Sequence, residues 1–316
     1  MRIHHYLNIL LLALLLLTDT AKASAQRDTI NIIDWQFSRS ELTPEEATAG
    51  RGEWKAVRLP HDFQVEQPWI APDSSEKADN SDAAANVKSR LSARGFKEMG
   101  IGWYRRTLTP DPSWRQRRVM LEFGGIMLVG DVYLNGSRIG GSEYGYVPFG
   151  IDISKDLKYG QENVIVVKAD TRNANNSRWY TGGGLFRNVS LMITPREIFF
   201  DRHPLFVTTS HNDTVHVTAT IANYGKTKDG IVTARVLDSN GKVVVVSNTD
   251  LKYFRRKKIN EYKLNDIPLP NAHPWDTDTP YLYTMQVEIA DTAGNIIDRA
   301  SDRFGVRTIE FGPEFG

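Results

Sequence analysis

The sequence predicts an all-β fold, two β-sandwiches in series. Three observations carry this reading. Short apolar runs alternate with polar residues, turn residues separate them at short spacing, and helical periodicity is almost absent. With 41% hydrophobic and 24% charged residues in 316, the composition is that of ordinary globular protein, and the length allows about two domains.

The elements follow in order. Trp35, Phe37 and Trp54 punctuate the first stretch. Leu59-Pro60-His61-Asp62-Phe63 reads as extended, because Pro60 pushes Leu59 out of the helical region. Residues 68–95 hold Pro, Asp, Ser, Asn and Ala without apolar periodicity, which predicts a long surface loop. Loops this long are usually functional or mobile. Residues 103–108 form one candidate strand. In 119–123, Val119, Leu121 and Phe123 alternate with Met120 and Glu122 in another. Val132-Tyr133-Leu134 runs into Asn135-Gly136, a two-residue hairpin signal, since both central positions of that turn need positive φ. Residues 164–169 are apolar on both faces except at Lys168, as in a strand buried inside a sandwich.

A second unit begins near Pro195. Val215, Val217, Ala219 and Ile221 alternate with His216, Thr218 and Thr220, the pattern of a half-buried strand. Residues 234–237 and 243–246 flank Asp238-Ser239-Asn240-Gly241, and residues 281–289 and 296–306 flank Ala293-Gly294-Asn295. About seven short strands in roughly 110 residues fit an immunoglobulin-like sandwich without its disulfide. No repeat at solenoid spacing is visible.

The N-terminus has a different grammar. Arg2 precedes an apolar run at 9–17, and Ala23-Ser24-Ala25 offers a small-residue cleavage site before Gln26. This is the pattern of a secretory signal peptide, and the run falls well short of the roughly 20 residues that span a bilayer. Cleavage would remove Arg2, Lys22 and Asp19, leaving acidic and basic residues equal in number. Such a chain has no global field for nucleic acid or anionic lipid. With no Cys, disulfides, thiol catalysis, thiolate metal sites and a lipoprotein anchor are excluded. The expected location is the periplasm or the outside, with no membrane association after cleavage.

Several segments then align in order: Leu59-Pro60-His61-Asp62-Phe63, Gly102-Trp103-Tyr104-Arg105-Arg106, Phe123-Gly124-Gly125 and Val132-Tyr133-Leu134-Asn135-Gly136. Gly145-Tyr146-Val147-Pro148-Phe149, Ser177-Arg178-Trp179-Tyr180 and Gly184-Leu185-Phe186-Arg187-Asn188-Val189 follow. Together they closely resemble the jelly-roll, galactose-binding-like sugar-binding domain of glycoside hydrolase family 2, β-galactosidase type. Pro280-Tyr281-Leu282-Tyr283 and Arg303-Phe304-Gly305-Val306-Arg307 are similar to the end of that family's immunoglobulin-like domain. The resemblance covers about residues 31–311. With the signal peptide read at 1–25 from its own pattern, it implies a jelly-roll sugar-binding domain at 26–195, an immunoglobulin-like sandwich at 196–311, and the start of a linker to the missing barrel at 312–316.

The resemblance implies action on β-linked glycans, β-galactosides first and β-glucuronides and β-mannosides behind them, with no cofactor. It also implies a following (β/α)₈ barrel whose two glutamates act as acid/base and nucleophile, about 5 Å apart. A barrel takes about 250 residues, and Phe311 lies five residues from the end of this sequence. No catalytic residue is therefore assigned here, and the chain as given is expected to be inactive. Asn260-Glu261 matches the pair that carries the family's acid/base. It precedes Arg307, however, and follows Arg255-Arg256-Lys257-Lys258, so it is expected on the second sandwich by coincidence. The basic run itself is expected on a solvated strand edge.

The candidate sugar contacts are Ser177, Arg178, Trp179 and Tyr180, beside the Gly-rich stretch 181–184. Aromatic faces stack on sugar rings and a neighbouring Arg can donate to hydroxyls. Some members of the family carry an acid two positions before the Trp, where Ser177 stands here. The alternative for Trp179 is packing between domains. Trp103 and Tyr104 are adjacent on a strand and face opposite ways, so one of them is expected in the core. His61 and Asp62 lack a Ser or Cys at a recognisable spacing and are expected in a hydrogen-bonded turn. His203, His211, His216 and His273 form no His-x-x-x-His or His/Asp cluster, so no metal is expected.

Three readings stand at this point: the non-catalytic front of a family 2 hydrolase, a stand-alone carbohydrate-binding sandwich, or a non-functional gene fragment. The expected partners are a β-linked glycan and the missing barrel in cis. The face a barrel would cover predicts an apolar patch and a homo-oligomer.

Overall fold

The computed structural model describes residues 27–69, 97–172, 180–211, 213–226, 229–252, 258–309 and 311–314. The signal-like segment, nearly all of the loop expected at 68–95, and Ser177, Arg178 and Trp179 lie outside them, as do residues 255–257 of the basic run. Two compact units emerge, Asp28–Ile193 and the residues from Thr194 onward joined by Arg27.

The first unit contains two antiparallel sheets. One runs β1 (Asp28–Asn31), β10 (Val189–Thr194), β5 (Arg118–Phe123), β8 (Phe149–Asp152). The other runs β3 (Lys55–Arg58), β2 (Asp34–Ser38), β4 (Ile101–Leu108), β9 (Asn163–Asp170), β6 (Val129–Leu134), β7 (Ser137–Ser142). Their inner faces enclose one core that includes Trp35, Phe37, Phe63, Tyr104, Leu121, Phe123, Ile165, Val167 and Leu191. Alternation supplies Leu121 and Phe123 from β5 and Ile165 and Val167 from β9, because every second side chain points to the same face.

The outer face of the six-stranded sheet is covered too. A short helix, α1 (Pro44–Thr48), is held by a capping box between Thr43 and Glu46 and lays Ala47 on Trp103 and Val166. Trp103 and Tyr104 are therefore both buried, on opposite faces of β4. Tyr104 lies in the core between the sheets, as expected of one of the pair, while Trp103 is buried on the outer face under α1, which also explains why β9 is apolar on both sides. The turn between β6 and β7 forms as its residues dictate, with Asn135 at φ 52° and Gly136 at φ 88°.

In the second unit, β11 (Ile198–Ser210), β12 (Thr214–Asn223) and β15 (Lys258–Lys263) form one antiparallel sheet, with β16 (Ile267–Pro268) also beside β12. The other runs β14 (Val243–Lys252), β13 (Asp229–Leu237), β17 (Tyr283–Ala290), β18 (Ile296–Phe304). Val215, Val217, Ala219 and Ile221 are all completely buried, in agreement with their alternation. Eight strands are present among the described residues where about seven were expected. Asn260 and Glu261 lie on β15, opposite Ile221 and Thr220 of β12, within a sandwich sheet.

Asp298 of β18 is a buried carboxylate. It accepts hydrogen bonds from the Phe200 and Arg299 N–H groups, each 2.8 Å, and from Arg27 Nη2 at 3.2 Å. Burial raises its pKa, with Arg27 pulling the other way.

Candidate functional site

The Gly-rich stretch after Tyr180 does not hang free. It lies against residues 61–64, held by bonds that sequence spacing does not reveal. The N–H of His61 donates to Leu185 O at 2.9 Å, and that of Phe63 to Gly183 O at 3.0 Å. On the other side, Gly184 and Met127 exchange N–H···O bonds of 2.7 and 2.9 Å. Residues 183–185 are thus a short strip of backbone clamped from both edges.

Asp62 closes the clamp. Its Oδ1 accepts from the N–H of Gly183 at 2.8 Å and of Gln64 at 3.0 Å, and its Oδ2 accepts from the Tyr180 hydroxyl at 2.7 Å. The glycines are demanded by this closeness. A Cβ on Gly182, at φ +75°, would lie 2.5 Å from Asp62 Oδ2. One on Gly184, at φ +111°, would lie 2.1 Å from the Tyr104 hydroxyl. Tyr180, half-buried, is the one candidate sugar contact among the described residues, and its hydroxyl points inward to Asp62.

Beneath the strip sits an aromatic and histidine cluster. His61 Nδ1 and the Tyr104 hydroxyl are 2.8 Å apart, and Phe37 packs on both rings. Burial holds the Tyr104 phenol above its usual range and keeps it protonated. Burial also lowers the pKa of His61 below its ordinary 6.5; Glu66 opposes the shift and Lys55 adds to it, while Asp62 opposes it weakly. The folded state thus prefers neutral His61. Its contribution to stability is present above about pH 6.5 and is lost as pH falls through the lowered folded value. We expect the denaturant midpoint of the first sandwich to fall between about pH 7.5 and about pH 5.5, and His61→Gln to flatten that fall. An unchanged slope in the variant would locate the titration elsewhere.

Next to the clamp, two sequence motifs meet. Tyr146 packs edge-on against Phe186 with centroids 6.2 Å apart, and Tyr144 lies 5.7 Å beyond it. Arg187 donates to Tyr146 O at 3.1 Å and Gly124 O at 3.2 Å, with its guanidinium 5.0 Å from the Phe186 ring centroid. Tyr144 and Tyr146 are 57% and 44% exposed, a half-wet aromatic surface of the kind that takes a sugar ring. Both motifs are visible in the sequence, but nothing in their spacing tells that 145–149 and 184–189 adjoin.

The second sandwich holds one histidine pair the spacing did not show. His216 Nδ1 lies 2.8 Å from Asp266 Oδ1, and its Nε2 lies 2.8 Å from Ser210 Oγ. The connectivity is that of a nucleophilic relay. Yet Asp266 is 54% exposed and Ser210 closes a hairpin, so water screens the carboxylate and the chain of bonds ties β11, β12 and the 264–267 segment together. Among the described residues no group of three or more His, Cys, Asp or Glu could hold a metal ion.

The profile described as "Glycosyl hydrolases family 2, sugar binding domain" matches residues 49–195, and that described as "Glycosyl hydrolases family 2" matches residues 202–307. This chain belongs to glycosyl hydrolase family 2. The family 2 chain is 28% identical over 281 residues to the beta-galactosidase BoGH2A of Bacteroides ovatus, an alignment covering 87% of this chain and 31% of that protein. It is 31% identical over 222 residues to a beta-galactosidase of Thermoanaerobacter pseudethanolicus, covering 67% of this chain and 29% of that one. The crystal structure of a family 2 member from Bacteroides cellulosilyticus superposes with a TM-score of 0.77 at 26% identity, over 92% of this chain and 36% of that one. The chain thus spans about a third of the length of the curated relatives it matches. It corresponds to their sugar-binding domain and the β-sandwich after it, and the clamp lies within the sugar-binding part.

Proposed function

We propose that this chain is the exported, non-catalytic front of a family 2 hydrolase of β-linked glycans, with β-galactosides as the first substrate class. Its sandwiches shape the mouth of a pocket whose catalytic carboxyls belong to a barrel in cis. The observation that carries this is the clamped loop: 180–185, in a sandwich matched to the family's sugar-binding profile, is held with its glycines pressed on Asp62 and Tyr104, beside exposed Tyr144 and Tyr146. Two beta-galactosidases among the relatives support the substrate class, and a beta-glucuronidase of Formosa agariphila, 25% identical, keeps β-glucuronides second. Export rests on the 1–25 pattern.

Cleaving a glycosidic bond takes two carboxyls about 5 Å apart on a rigid scaffold. The sheets among the described residues are antiparallel sandwich sheets, the wrong frame for such a barrel. The purified 316-residue chain should therefore release no nitrophenol from a nitrophenyl β-galactoside, while calorimetry with galacto-oligosaccharides should show weak binding. Turnover that survives stringent removal of host enzyme would defeat the non-catalytic reading. The exposed aromatic surface also favours self-association, so sedimentation should show mass above the monomer.

A further inference from the structure

We propose that Asp62 is the positioning residue of the sugar-contact loop: it touches no glycan itself, and its carboxylate sets the backbone of 180–184 and the direction of Tyr180. This rests on the reading of that loop as glycan-facing. The carboxylate is already engaged inward by three donors, the Gly183 and Gln64 N–H groups and the Tyr180 hydroxyl, at 2.7–3.0 Å. Three of its roughly four acceptor positions are filled from within the protein. The same three bonds are charge-assisted, and such bonds are roughly twice as strong as neutral ones.

The geometry shows which partner is held by which. Residues 61–64 are part of the sandwich: Phe63 is completely buried and stacks on Phe37 at 5.5 Å. The loop is the dependent side. It approaches Asp62 so closely that Gly182 admits no Cβ, and Tyr180 reaches it from 118 positions along the chain. A neutral side chain would leave the Gly183 N–H and the tyrosine hydroxyl with a weaker acceptor or none. The Tyr180 hydroxyl would then lose the bond to Asp62 that sets its direction.

The experiment uses the full chain with Asp62→Asn, which keeps shape and removes charge, Asp62→Ala, which removes the acceptor, and Tyr180→Phe, which removes one bond. Hydrogen exchange is followed at the amides of 180–184 and, as an internal reference, at those of β5 and β9. Asp62→Ala should speed exchange in 180–184 at least about tenfold, with Asp62→Asn and Tyr180→Phe between it and the wild type. The β5 and β9 amides should stay at wild-type rates. Unchanged exchange in the loop would overturn the proposal. So would equal acceleration of the reference strands in Asp62→Asn, which would make Asp62 a general stabiliser. Calorimetry with galacto-oligosaccharides on the same samples should show affinity falling in step with loop exchange. Absence of any wild-type binding would sink the glycan reading alone, with the exchange data still deciding whether Asp62 positions the loop.

Discussion

Replacing Gly184 with Ala is expected to destabilise the first sandwich by about 3–5 kcal/mol, and so to remove much of the stability of a typical domain. Two costs add. The backbone sits at φ +111°, where an L side chain is strained, and the new methyl would start 2.1 Å from the Tyr104 hydroxyl and 3.0 Å from His61 O. Neither neighbour can yield cheaply. Tyr104 is completely buried, with its hydroxyl against His61, and the His61 backbone is bonded to Leu185. Retreat in the other direction breaks the paired bonds between Gly184 and Met127. Gly136 is the control. It also has positive φ, at 88°, but nothing lies within 4 Å of its missing Cβ, so Gly136→Ala carries only the backbone cost, about 1 kcal/mol. Urea midpoints for the two variants decide the matter: equal losses would mean that the clamp around Gly184 is looser than described.

The second large effect is expected at Asp298. Asp298→Ala should cost the second sandwich about 3–5 kcal/mol, because it strips the buried Phe200 N–H of its acceptor and takes a carboxylate from Arg27. Asp298→Asn keeps an oxygen at nearly the same place and should cost far less. The two variants also separate the effect of charge from that of shape. Burial raises the folded-state pKa of Asp298, so its titration favours the fold below the unfolded carboxylate value and loses that contribution as pH rises through the folded value. The stability gap between wild type and Asp298→Asn should therefore narrow, or turn in favour of Asn, as pH rises from about 4 towards neutrality. Guanidinium melts across that range test it. A gap that widens with pH would mean that Arg27 outweighs burial at this site.

Much of the fold is legible in the sequence alone. The period of two in 119–123 and in 215–221 gave β5 and β12 because alternation is what a half-buried strand requires, and those side chains are buried as expected. Asn135-Gly136 announced its turn because few other dipeptides tolerate two positive φ angles. Burial of both Trp103 and Tyr104 was less legible. Local pattern says that neighbours on a strand face opposite ways, but not that α1 will cover the outer side. The site was legible in parts only. The motif around His61 and Asp62 and the Gly-rich stretch were each visible, while their union was not.

By itself, the sequence determined what depends on near neighbours: strand period, turn chemistry, the absence of thiols and, through the ordered motifs, membership of the family. The tertiary structure alone decided which distant groups share a boundary. Asp62 meets Gly183 across 121 positions, and Arg27 meets Asp298 across 271. No sequence period encodes such pairings. They follow from how two sheets close over a core, and an ionised carboxylate taken from water must then find donors wherever the fold brings them.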